Sequence, residues 1–139
     1  MSDNIAFVQS LYAAFGRGDV DTIIAGLAPD IDWENVGRRS DYASLGPRKG
    51  RDEVRGFFEL LASDVNFPEF APLDFDAAGD KVFVEGHSRM SLKQGGPEVD
   101  TDWVHVFTIR DGQVTRFRDF LDTAQLAEAY AKARELVPA

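Results

Sequence analysis

The chain has 139 residues, of which 44% are hydrophobic, 12% aromatic and 28% charged; this balance fits one folded domain over residues 1–139 and excludes a disordered or fibrous chain. It contains no cysteine, which removes disulfides, thiolate metal ligands and a cysteine nucleophile. Fifteen basic residues against 24 acidic ones leave a net charge of −9, so nucleic acid and anionic membranes are not expected partners. No apolar run approaches the ~18 residues of a membrane span. Residues 1–4 do not read as a signal peptide, and a cytoplasmic location is expected. Eleven phenylalanines against two tryptophans and three tyrosines suggest an aromatic-lined core or cavity.

Residues 3–16 place Ile5, Val8, Leu11, Tyr12 and Phe15 at helical spacing, with Ser2 or Asp3 as a cap. Gly16-Arg17-Gly18 breaks that helix. A second, capped by Asp19, runs through Val20, Ile23, Ile24 and Leu27 until Pro29-Asp30 stops it. Residues 31–36 read as a short strand, and residues 37–50, with their glycines, Pro47 and scattered charges, as a loop. Residues 51–62 carry Val54, Phe57, Phe58 and Leu61 at helical spacing, with Asp52 or the preceding turn as the cap. The period then changes. Residues 70–75, 82–92, 99–110 and 113–121 look like strands, joined as hairpins through Ala78-Gly79-Asp80, Gly95-Gly96-Pro97 and Asp111-Gly112. Asp122 or Thr123 caps a last amphipathic helix containing Leu126, Ala129, Tyr130 and Ala133.

Helices first and an antiparallel meander afterwards define an α+β fold. A helical layer against one curved sheet of four or five strands leaves a conical hollow, a common place for a ligand site. Alternation along residues 82–92 turns Val84, Gly86, Ser88 and Met90 inward and Glu85, His87 and Arg89 outward. Gly86 and Ser88 leave space there. In the last hairpin, a three-residue turn at Arg110-Asp111-Gly112 would pair Phe107 with Thr115, His105 with Phe117 and Trp103 with Asp119. A two-residue turn would instead pair His105 with Arg118. The first register is preferred because it sends Arg116 and Arg118 outward and groups the aromatics.

Asp119 then lies among Trp103, His105 and Phe117. A carboxylate on the apolar side of a strand is costly unless hydrogen-bonded or neutral. Such a place suits general acid–base chemistry. It equally suits a structural tie in which Asp119 joins two strands through His105 or the Trp103 indole.

Four stretches give the chain a family resemblance: Gly18-Asp19-Val20-Asp21 with Leu27-Ala28-Pro29-Asp30 and Trp33; Gly50-Arg51-Asp52-Glu53-Val54 with Phe57-Phe58; Trp103-Val104-His105-Val106-Phe107 with Asp111-Gly112; and Phe117-Arg118-Asp119-Phe120-Leu121-Asp122. The chain resembles the SnoaL-like branch of the nuclear transport factor 2-like superfamily, which also holds ketosteroid isomerases and limonene epoxide hydrolases. The resemblance implies a cystatin-like cone. It places Asp119 where polyketide cyclases, epoxide hydrolases and phenazine-biosynthesis relatives keep a catalytic carboxylate. Trp33 and Asn35 fall where epoxide hydrolases hold water with Tyr and Asn. Those hydrolases also carry an Arg-x-Asp where this chain reads Gly86-His87-Ser88. Ketosteroid isomerases have their base at the position of Asn35, and their first-helix tyrosine aligns with Leu11, one residue before Tyr12. By elimination the polyketide cyclase pattern fits best.

These readings imply an acid–base enzyme of cyclase, isomerase or hydrolase type, acting without a cofactor on a hydrophobic oxygenated molecule. Asp119 is the expected acid–base and His105 its tuning partner. Trp33, Asn35, Trp103, Phe117, Ser88, Met90 and Tyr12 are the expected substrate contacts. A non-catalytic module binding a small apolar ligand is the alternative. Asp100, Asp102 and His105 lack further convergent ligands, so no metal is expected. The basic residues from Arg38 to Arg55 read as a salt-bridged surface with Asp41, Asp52 and Glu53, and Tyr42 as a candidate lid residue. Val104, Val106 and Phe120, among Arg116 and Arg118, form a partly apolar outer face through which a homodimer is expected.

Overall fold

The computed structural model describes residues 2–136. Helix α1 spans Ser2–Gly16 and α2 Val20–Ala25; strand β1 spans Leu27–Asn35 and β2 Gly46–Lys49; α3 spans Gly50–Asp64. Strands β3 (Val65–Ala78), β4 (Lys81–Leu92), β5 (Val99–Arg110) and β6 (Gln113–Phe120) follow, and α4 spans Thr123–Glu135. The helices pack on one curved, unclosed sheet of six strands in the order β2-β1-β6-β5-β4-β3. Val8, Ile31, Val54, Val82, Val84 and Val114, all inaccessible to solvent, form its centre. A second apolar cluster joins Tyr42, Leu45, Met90 and Val99 to Leu126, Ala129 and Ala133 of α4.

The caps match the local chemistry. Asp19 accepts from Thr22 N at 3.1 Å and Asp122 from Gln125 N at 3.1 Å, each satisfying an otherwise unpaired first-turn amide. Helix α3 has no side-chain cap; instead Glu53 accepts from Lys49 N at 2.8 Å.

Besides β3 running from Val65 to Ala78 where the sequence predicts a strand over 70–75, three features differ from the sequence reading. Helix α2 ends at Gly26, and Leu27 to Asp30 are already strand: Leu27 pairs with Val114, and Pro29 sits in β1 next to a register shift. An irregular stretch of this kind tolerates a residue with no amide proton. Second, residues 46–49 form a strand paired with β1 rather than loop. Third, β1 runs parallel to β6, so the sheet is mixed, with the meander's last strand in its interior.

The β5–β6 register also differs. The turn has two residues, Asp111 at φ 52° and Gly112 at φ 75°, the doubly left-handed form that matches hairpin twist. Pairing starts as Arg110 with Gln113 and Ile109 with Val114, then shifts past Thr115, so that Phe107 faces Phe117 and His105 faces Asp119. The unpaired Thr115 is a bulge that restores the parity of a three-residue turn. The inner and outer faces are therefore as expected, while each partner lies two residues further along. Arg116 is exposed and Arg118 reaches outward to Asp32 at 3.1 Å.

Candidate active site

Strand pairing assembles the centre of the site. In β1–β6 Asn35 lies beside Asp119, and in β5–β6 Asp119 lies beside His105. Three neighbouring strands thus set an amide, a carboxylate and an imidazole in one row on the concave face. Two residues along each strand, Trp33, Phe117 and Phe107 form the next inward row, with Trp33 stacked on Phe117 at 4.0 Å.

A row of polar contacts, interrupted at Asp119 Oδ1, crosses these strands. Trp33 Nε1 donates to Asn35 Oδ1 at 2.8 Å, and Asn35 Nδ2 donates to Asp119 Oδ2 at 2.9 Å. His105 Nε2 lies 3.1 Å from Asp119 Oδ1, and Tyr12 Oη lies 2.7 Å from His105 Nδ1. The Nε2 approach is within ion-pair distance but too far off-line for a hydrogen bond, which leaves Oδ1 a buried oxygen with no donor. Asp119 is 7% exposed and His105 9%. A buried polar atom without a partner is uncommon and calls for an explanation; here it borders a cavity.

Tyr12 fixes the imidazole's orientation. Burial first, and then the Asp119 charge, push the Tyr12 phenol far above its ordinary range. It therefore keeps its proton. In the tautomer with the ring proton on Nε2, on the side of Asp119, Tyr12 is the donor and Nδ1 the acceptor of this bond.

The cavity measures about 130 Å³. All nine residues singled out in the sequence line it: Asp119, His105, Trp33, Asn35, Trp103, Phe117, Ser88, Met90 and Tyr12. Trp103 stacks on His105 at 3.9 Å and donates from Nε1 to Ser88 Oγ at 2.7 Å, which leaves the Ser88 hydroxyl proton for another acceptor. The space above Gly86 is filled rather than left open: a Cβ there would overlap the Trp103 indole and lie 2.6 Å from its Cε2.

Ser44, Leu45 and Thr101 also line the cavity, and the sequence reading missed them. Ser44 and Leu45 belong to the connection between β1 and β2, where no local pattern marks an inward face. Tyr42 from that segment is 4% exposed and packs edge-on against Tyr130 at 5.0 Å, in the second cluster and not on the cavity. Burial, then Asp64 and Tyr130, push its phenol up to about 12. Three of the nearby arginines hold backbone rather than carboxylates. Arg39 donates to Leu45 O and Pro47 O, Arg48 to Ser44 O and Ala43 O, and Arg51 to Leu27 O. They tie the cavity-lining loop and the start of β1 in place.

On the outer face His87 lies 2.7 Å from Asp100 Oδ1 and 2.8 Å from Asp102 Oδ1. Those two aspartates therefore turn away from His105, and the three do not converge on a metal. Among the described residues no helix is long and apolar enough to cross a membrane.

Helices packed on an open, curved sheet, with a buried carboxylate in the hollow, define a cone of the nuclear transport factor 2-like class. The SnoaL-like domain family matches residues 8–117, and the chain belongs to that family. A nuclear transport factor 2-like protein of unknown function from Burkholderia pseudomallei is 31% identical, with a TM-score of 0.84 over 93% of this chain and 98% of that one. TerC, co-crystallised with polyporic acid, is 30% identical with a TM-score of 0.80, covering 92% of this chain and 98% of its own. A SnoaL-like polyketide cyclase assignment from Mesorhizobium loti, at 16% identity and a TM-score of 0.67 over 84% of this chain and 97% of that one, shares the fold. No curated protein matches the chain.

Proposed function

We propose that the protein is a cofactor-independent acid–base enzyme of cyclase or isomerase type, with Asp119 moving the proton of a hydrophobic, oxygenated substrate. The observation that carries this reading is Asp119 Oδ1, buried and without a hydrogen-bond donor beside the cavity. A structural tie would hydrogen-bond both oxygens; here Asn35 holds Oδ2, while Oδ1 has only the off-line His105 Nε2 approach at 3.1 Å. That TerC was co-crystallised with polyporic acid supports a small organic ligand for this chain.

For a ring closure the steps balance without an oxidant or a metal. Oδ1 takes a proton from carbon next to a substrate carbonyl. The resulting carbanion attacks a second carbonyl carbon, forming a C–C bond and breaking a C=O π bond. The new alkoxide takes the proton back from Asp119. Asn35 keeps the carboxyl group oriented, and His105, held by Tyr12, sets an Nε2–H beside the reacting oxygen. An isomerase uses the first step and returns the proton to a different carbon.

The test is a thermal-shift screen of wild type and Asp119→Asn against polyketide-like, terpenoid and steroid ligands, with turnover assayed for every hit. Binding by both proteins with turnover by wild type alone is expected. Equal binding and no turnover in either would make the protein a binding module. No hit, with a large loss of stability in the variant, would make Asp119 a tie.

The same reading includes a cytoplasmic homodimer. Phe83, Val104 and Phe120 are 37%, 37% and 46% exposed on the outer sheet face. Basic Arg116 flanks them on β6, with acidic Asp102 and Glu85 on β5 and β4. A two-fold axis through the patch sets acids of one copy against bases of the other. Light scattering at micromolar concentration should give twice the 15.4 kDa chain mass; a monomer mass contradicts it.

A further inference from the structure

The inner cavity of about 130 Å³ is a little smaller than the ~150 Å³ that accommodates a benzene ring in a protein core. A substrate of more than one ring must therefore extend beyond it. Against the outside of the same wall lies an open, aromatic-lined groove of about 330 Å³ between the end of α1 and β3, lined by Tyr12, Phe15, Gly16, Phe67, Phe70 and Pro72. Four of these six, Tyr12, Phe15, Phe67 and Phe70, also line the inner cavity. The partition is thus one layer of rings thick.

That layer is built from one tilted and two edge-on contacts. Phe15 and Phe70 lie 4.9 Å apart, Phe67 and Phe70 5.8 Å, and Phe15 and Phe67 5.9 Å, each half-buried. Phe67 and Phe70 stand on β3, an edge strand whose ladder shifts register between Asn66 and Glu69 and again between Pro72 and Asp74. Behind them Phe70 stacks on Trp103 at 5.1 Å, and Trp103 on His105 at 3.9 Å. A line of ring faces leads from the groove to the imidazole beside Asp119.

We propose that Phe15, Phe67 and Phe70 form an aromatic gate, and that the groove outside it is a subsite for the apolar extension of a substrate whose oxygenated ring sits in the cavity. This rests on taking the cavity as the ligand site. The substrate class it names is a phenol- or enol-like ring carrying a second ring or alkyl arm, with specificity for arm length set at the gate.

Gly16 provides a clean test. It is exposed, has an ordinary φ, and a Cβ there meets nothing within 4 Å, so Gly16→Leu is sterically accommodated and sets a side chain at the groove. Phenol and 4-phenylphenol are titrated into wild type, Gly16→Leu and Asp119→Asn by calorimetry. Wild type should bind 4-phenylphenol at least about tenfold tighter than phenol, from the extra ring area buried. Gly16→Leu should abolish that preference and leave phenol affinity unchanged. The preference should persist in Asp119→Asn, so the groove is judged independently of catalysis. No preference in wild type, or a preference that survives Gly16→Leu, overturns the proposal, as does failure of wild type to bind either phenol.

Discussion

Gly86→Ala adds one methyl group at the place where β4 passes under the Trp103 indole, and the sign of its effect separates two accounts of that glycine. If Gly86 merely leaves space, alanine should stabilise the chain by about 0.4–1 kcal/mol through the unfolded state. The structure predicts the reverse. The new Cβ overlaps the indole and lies 2.6 Å from Cε2, and its neighbour is a rigid ring. Trp103 cannot simply retreat, because it stacks on His105 at 3.9 Å and donates to Ser88 at 2.7 Å. Overpacking of this kind costs about 1–3 kcal/mol, and losing the Ser88 bond adds about 1 kcal/mol. Net of the backbone gain, the loss is about 2 kcal/mol. Urea unfolding followed by tryptophan fluorescence should place the midpoint about 1 M lower, for a slope of about 2 kcal/mol/M. Combining Gly86→Ala with Trp103→Phe removes the overlapping atoms, so the two losses should add to less than their sum by about 1 kcal/mol or more. An unchanged or raised midpoint in Gly86→Ala, or strict additivity in the pair, would refute the reasoning.

Three other outcomes follow from the geometry. Tyr12→Phe removes the hydroxyl that orients His105 and leaves Nδ1 buried without a partner; a loss of about 1–3 kcal/mol in chemical unfolding is expected. Asn35→Asp sets two carboxyl groups where an amide now donates over 2.9 Å; both cannot ionise together, so the variant should lose stability relative to wild type as pH rises from 4 to 8, read as diverging melting temperatures. The hydrogen bond to Asp102, with the charges of Asp100, Asp102 and Glu69, holds His87 above its ordinary value. Its contribution is fully present below the unfolded value near 6.5 and is lost as pH rises through the folded one. His87→Gln should therefore flatten the melting temperature over that window, and an unchanged slope would contradict it.

The site was more legible than the path that builds it. Strict alternation along Val84, Gly86, Ser88 and Met90 gave their faces directly, and matching parity sent Asp119 inward with Trp103, His105 and Phe117. Their partners depended on one bulge at Thr115, which has no composition signal because any residue can be the unpaired one. The Asn35–Asp119 contact was out of reach for a different reason. It comes from a parallel pairing between strands 84 residues apart, and periodicity reports a strand's face without its neighbour. Pro29 and the Gly46-Pro47 pair carried breaker chemistry that the tertiary context overrides, since β1 tolerates irregularity near Pro29 and β2 lies at the sheet edge. Ser44 and Leu45 reach the cavity on a loop whose carbonyls are bound by arginine side chains, a tertiary arrangement with no local sequence signal.

The central claim is that Asp119 Oδ1 exchanges a proton with bound substrate. It is tested most directly by incubating a ketone that binds in the thermal-shift screen with the protein in deuterium oxide and following loss of its α-proton signal by NMR. Wild type should exchange that proton, and Asp119→Asn should do so roughly 10²–10⁴-fold more slowly while binding the ketone equally well. Equal exchange rates in the two proteins would contradict the assignment of Asp119 as the acid–base.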